Sequence, residues 1–280
     1  MRSLATPAAV PHTTSVIINF SAHHAPARRL RGPLTVKPST ALRALCTAAL
    51  AGTLAACHTP LTQHAAANDK PASSPARQAL DRLPVHQAGT QSGYDRIDKF
   101  GTAWLDTTSA PGARNSCDTR NDVLFRDLSQ VRFRDGSTCI VASGTLLKDP
   151  YTGRRIDFVR GRGSSGSLDI DHLVALGDSW RTGARALSQA DREALANDPL
   201  NLAVVSASAN RQKGDQDAST WLPAATGWRC TYVARQIAVK KKYHLWVTPS
   251  ERTAMARVLG ACPAQPLPGE NDPGVALKKK

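Results

Sequence analysis

Residues Asp169-Ile170-Asp171-His172-Leu173-Val174 set two carboxylates at alternate positions, with a histidine directly after the second. Alternate side chains share one face of an extended strand and neighbours oppose, so Asp171 and His172 cannot both enter a site from the middle of a regular strand. The strand must end or bend there, where reactive groups often sit. Asn201-Leu202 follows, then the run Asn210-Arg211-Gln212-Lys213-Gly214-Asp215. A neutral histidine, with an unperturbed pKa of about 6.5, can take a proton from water. Asp171 and Asn210 both offer oxygen, which favours a hard cation, Mg²⁺ or Mn²⁺, one per site. Such an ion could polarise a phosphate and stabilise a departing oxygen. An aspartate, a histidine, two asparagines and a lysine could therefore bind a hard metal and cut a phosphodiester.

These groups need elements to position them. Residues 202–205 read as a strand that would return beside the Asp-His strand. Ser206 or Ser208 can cap the helix that follows, on which Asn210 and Lys213, three apart, share a face, and Gly214 closes it. Ser188 with Asp191 opens a helix that stops before Pro199. Upstream, apolar residues at 94, 97, 100 and 104 predict an amphipathic helix over 94–104, with Phe100 and Trp104 in the core. Asp118 caps a helix to 128, 131–133 and 138–141 form a hairpin around Asp135-Gly136, and 155–159 is a strand. Two further helices cover 227–242 and 248–259, the second with a capping-box spacing at Thr248 and Glu251.

The chain has 280 residues and a net charge of +14; all 22 acidic residues lie after Ala56. Residues 1–57 read as a leader containing a lipoprotein signal: a short basic region, an apolar stretch over 42–56, then Leu54-Ala55-Ala56-Cys57. Cys57 is the expected lipidation site, and an acyl anchor would hold the protein at a membrane surface without spanning it. Without the leader, 30 basic and 22 acidic residues leave +8, a charge that suits a polyanion and suits a generally basic exported protein equally. Residues 58–78 read as a flexible linker, 79–263 as one domain, and 264–280 as a disordered basic tail.

Cys117, Cys139, Cys230 and Cys262 remain after the leader. An even number in an exported chain implies disulfides, and four cysteines allow three pairings. Cys117–Cys139 and Cys230–Cys262 are the expected pairs, because each closes a local helix–strand or helix–helix unit. No C-x-x-C spacing supports a zinc site.

The Asp169–Val174, Asn201-Leu202 and Asn210–Asp215 pieces resemble the HNH branch of the ββα-metal nucleases. Closer still is the C-terminal nuclease domain of GmrSD-type restriction enzymes and the secreted bacterial HNH proteins that share it. That resemblance spans about 94–263 and includes Phe100-Gly101-Thr102-Ala103-Trp104, Cys117-Asp118-Thr119-Arg120, Asp149-Pro150-Tyr151-Thr152-Gly153, Ala196-Asn197-Asp198-Pro199-Leu200-Asn201-Leu202 and Trp221-Leu222-Pro223. It implies an α+β fold: a ββα-metal core with flanking helices and a small antiparallel hairpin, stapled by disulfides. It implies His172 as general base, Asp171 and Asn210 as metal ligands, and Asn201 orienting His172. Asp169 would support that set or add a ligand, and Lys213 would pair with phosphate. Ala175 stands where the family usually has proline, so the loop after His172 is expected to differ. Arg155, Arg160, Arg162 and Arg211 could hold phosphates of DNA or RNA. The expected protein is a monomeric endonuclease of the cell envelope or its surroundings. The competing readings are a surface protein that binds nucleic acid without turnover and an effector delivered to other cells.

Overall fold

The Ser74 hydroxyl accepts from the Arg77 amide and caps helix α1 (Pro75–Arg82), which carries proline in its first turn. This is a computed structural model that describes residues 73–161 and 165–278; the leader, Cys57 and Arg162 lie outside them. Ala76 and Leu80 of α1 are fully buried against the C-terminal helices. The linker expected to run to residue 78 thus overlaps a packed helix, because its alanines let the backbone lie close to the core.

Helix α2 (Arg96–Phe100) is one turn long, not the three expected over 94–104. Gly101 ends it at φ 75°, a left-handed conformation that glycine adopts without steric cost. Phe100 stays in the core, but Trp104 is lifted out of the helix into the following turn. Helix α3 (Thr119–Asp127) is capped by Asp118, and its start is tied by the Cys117–Cys139 disulfide to the strands that follow. Strands β1 (Ser129–Phe133), β2 (Val141–Leu146) and β3 (Ile156–Val159) form one antiparallel sheet in that order. The expected hairpin is therefore a three-stranded sheet, since the segment after the Asp149–Gly153 turn pairs with β2 from Leu146↔Ile156 to Ser143↔Val159.

Strand β4 (Leu168–His172) ends on the histidine, and helix α4 (Leu176–Arg181), whose start at Ala175 has no side-chain cap to mark it in the sequence, follows at once. Helix α5 (Gln189–Asn197) leads to strand β5 (Leu202–Ser206) and directly into helix α6 (Ala207–Lys213). The two strands pair antiparallel from Leu168↔Ser206 to His172↔Leu202, and α6 packs on both. The hairpin is sandwiched. Leu168, Ile170, Leu202 and Val204 face α3 and the three-stranded sheet. Ala203 and Val205 face α1, α7 (Arg229–Lys242) and α8 (Pro249–Gly260). The Cys230–Cys262 disulfide joins the start of α7 to the end of α8. Both disulfides are thus the expected pairs. Among the described residues no helix is long and apolar enough to cross a membrane.

Residues 264–278 do not behave as the disordered tail expected from their proline content. Val275 is 3 % exposed in the core with Phe100 and Tyr243, and its carbonyl accepts from Arg126 at 3.1 Å. Removing residues 264–280 should therefore lower stability by at least about 2 kcal/mol, the worth of burying one valine-sized side chain. Urea unfolding of the truncated chain checks this; an unchanged midpoint would mean that the tail is unpacked.

Candidate active site

His172 closes β4, and its imidazole is buried. Its Nε2 lies 2.8 Å from the Ala196 carbonyl, in the last turn of α5. A carbonyl only accepts, so Nε2 carries the proton and the neutral ring keeps its lone pair on Nδ1. The last carbonyls of a helix have no partner within it, which is why one is available here. Burial first, and then the Arg96 guanidinium, push the His172 pKa down to about 3, against the Ala196 bond that favours the charged form. The ring is thus neutral at physiological pH. Trp104 lies parallel to it, with centroids 5.8 Å apart and 6° between planes. Trp104 sits at φ 68°, in the left-handed region that costs a large side chain energy. The Thr119 amide bonds its carbonyl at 3.4 Å, and the Thr119 hydroxyl bonds the Leu105 carbonyl at 2.9 Å.

Asp171 faces the other way, toward α6. Its Oδ1 accepts from Lys213 Nζ at 3.1 Å and its Oδ2 from the Tyr151 hydroxyl. Burial pushes its carboxyl above the ordinary range, while Lys213 and Tyr151 pull it down. Lys213 is fully buried and also donates to the His172 carbonyl at 2.8 Å. It is therefore a strut between helix and strand and cannot reach a phosphate, as had been expected of it. Tyr151 is itself wedged among Trp221, Trp228 and Tyr232.

Because β4 ends at His172, side chains from its two faces meet at its unpaired edge. A cavity of about 180 Å³ there is lined by Asp171, His172, Asn210, Asp215, Tyr94 and Arg96 among others. The Asp215 carboxylate lies against α4: a Cβ on Gly177 would fall 2.2 Å from it, so a side chain there would displace Asp215. Asp169 is not in the cavity lining; its carboxylate accepts from the Asn210 amide at 3.2 Å. Among the described residues no hydrogen bond joins Asn201 to His172. The Asn201 amide brackets residue 174, accepting from the Val174 amide at 2.9 Å and donating to the Val174 and Leu195 carbonyls, so it fixes the loop and helix end around the histidine.

The expected phosphate-binding arginines scatter. Arg155 binds Asp157 at 2.9 Å on the three-stranded sheet. Arg160 turns inward to the Val141 carbonyl and Asn121. Arg211 is exposed on α6. Tyr151, Trp104, Ala196, Arg96 and Asp215 were given no role in the site from the sequence. Tyr151, Trp104, Ala196 and Asp215 sit in the stretches that carry the family resemblance and Arg96 does not, while a backbone carbonyl such as that of Ala196 has no residue signature at all.

Among the described residues no three His, Cys, Asp or Glu side chains form a metal cluster. Asp171, Asp215 and Asn210, whose side chains all carry oxygen, line one polar cavity. These hard oxygens fit a hard cation that keeps several waters.

A profile of GmrSD restriction endonucleases, C-terminal domain, matches residues 118–258. The chain is also 36 % identical over 194 residues to an uncharacterized secreted protein of Arthroderma benhamiae, covering 69 % of this chain and 87 % of that protein. No solved structure matches it significantly.

Replacing Lys213 with methionine should lower stability by about 3–5 kcal/mol, because a buried carboxylate loses its partner. Denaturant unfolding checks this; a midpoint equal to wild type would mean that Lys213 is not the buried strut.

Proposed function

The chain belongs to the family of GmrSD restriction endonucleases, C-terminal domain, and from that premise we propose that it is an exported, metal-dependent endonuclease, anchored by lipid at Cys57, that hydrolyses DNA or RNA with little sequence specificity. The β4–β5–α6 unit is read as the ββα-metal core of the HNH type. The observation that carries this is the neutral imidazole with a free Nδ1 beside a cavity that also holds Asp171 and Asn210. Export is supported by the two disulfides and by the relative's description as secreted.

In this mechanism His172 Nδ1 takes the proton of the attacking water, and the Ala196 carbonyl holds the ring in the tautomer that allows it. Asp171 and Asn210, with Asp215 opposite, would hold one Mg²⁺ or Mn²⁺. Bound there, such an ion supplies charge relief on the phosphate and on the leaving oxygen. Tyr151 and Lys213 keep the Asp171 carboxylate in one orientation, and Trp104 screens the base from bulk water.

The purified protein should cut plasmid DNA or RNA with Mg²⁺ or Mn²⁺ and stop in EDTA. His172→Ala should slow cleavage about 100- to 10,000-fold while the fold persists. Cleavage that survives exhaustive chelation, or a His172→Ala variant at the wild-type rate, would overturn the mechanism. Mass spectrometry of the mature N-terminus tests the anchor, and an unmodified Cys57 would remove it.

A further inference from the structure

We propose that Arg96 is the phosphate-binding catalytic residue of this site, seating the scissile phosphate in the cavity along the open edge of β4. The inference rests on the nuclease reading above. Arg96 is the first residue of α2, and its exposed side chain lines the cavity that holds Asp171, His172, Asn210 and Asp215. It also lines the narrow cleft on the other side of His172, beside Trp104 and Ala196. The cavity of about 180 Å³ equals about six water volumes, enough for a phosphate group and its waters.

Arg96 is the only arginine or lysine among the described residues that line this cavity; Arg120 and Arg211 are not in the lining, and three other cations are committed elsewhere. Lys213 is buried against Asp171 and the His172 carbonyl. Arg160 is bonded to Asn121 and the Val141 carbonyl. Arg181 donates to the Asp215 carbonyl at 2.9 Å and lies 3.8 Å from Asp178. Arg96 has no such bond or ion pair among the described residues. An arginine fork matches two non-bridging phosphate oxygens, which a lone ammonium does less well. Arg96 moves no proton in this role: water attacks phosphorus, the P–O bond to the leaving sugar breaks, and His172 Nδ1 takes the water's proton. Arg96 and Trp104 both precede residue 118, where the family match begins. The segment before the matched domain therefore supplies part of the site.

The test compares the full-length wild type with Arg96→Gln and Arg96→Lys. Cleavage is measured with Mg²⁺, and binding to a DNA duplex is measured in EDTA across a salt series. Arg96→Gln should lower kcat about 100- to 1,000-fold and reduce the slope of log affinity against log salt by about 1. Its Tm should stay at the wild-type value, and Arg96→Lys should recover part of both losses. A Gln variant with wild-type kcat, or one that loses activity while keeping the wild-type salt slope, would overturn the role of Arg96 and leave the nuclease reading intact. A wild-type protein that cuts neither DNA nor RNA would overturn the nuclease reading and Arg96 with it.

Discussion

One hydrogen bond, from His172 Nε2–H to the Ala196 carbonyl, is the constraint around which the site is built. It joins the end of a strand to the end of a helix, two places where backbone groups lack partners within their own element. Most of the surrounding structure serves to bring those ends together. Pro199 stops α5, Asn201 binds the Leu195 carbonyl one residue before Ala196, and the Leu173 amide bonds the Asn201 carbonyl at 2.8 Å. Two buried arginines hold the same segment from below: Arg126 and Arg235 both donate to the Pro199 and Leu202 carbonyls. Burial and the nearby Arg126 lower the Arg235 pKa to about 9, so Arg235 stays charged at neutral pH despite its depth.

A second constraint runs on the opposite face of β4. The buried Lys213–Asp171 pair, with Tyr151, couples α6, the hairpin and the aromatic cluster of Trp221, Trp228 and Tyr232. Buried ion pairs contribute little net stability compared with apolar residues of the same shape, but they penalise every arrangement that separates the partners. Here that penalty fixes where Asp171 points relative to His172, which a hydrophobic contact would not do.

The parts of this arrangement that depend on local spacing were legible in the sequence. The Asp-His strand, the returning strand at 202–205 and the helix bearing Asn210 follow from period and from Gly214 closing that helix, although Ser206 makes no side-chain capping bond at its start. The cysteine pairs followed from the units they close. The rest depended on contacts across long stretches of chain. Tyr151 reaches Asp171 from 20 residues upstream, and nothing in its own turn marks it for that. The resemblance assigns Lys213 to phosphate; its burial comes from Asp171 and the His172 carbonyl, which only the fold brings within reach. The 94–104 helix failed at Gly101, and that failure is what frees Trp104 to lie on the imidazole.

The tautomer of His172 is the most direct point of attack on this account. Long-range proton–nitrogen correlation NMR on protein labelled with ¹⁵N-histidine distinguishes the two ring nitrogens at neutral pH. The account predicts a neutral His172 with the proton on Nε2 and an unprotonated Nδ1. A ring protonated on Nδ1, or charged at neutral pH, would contradict it.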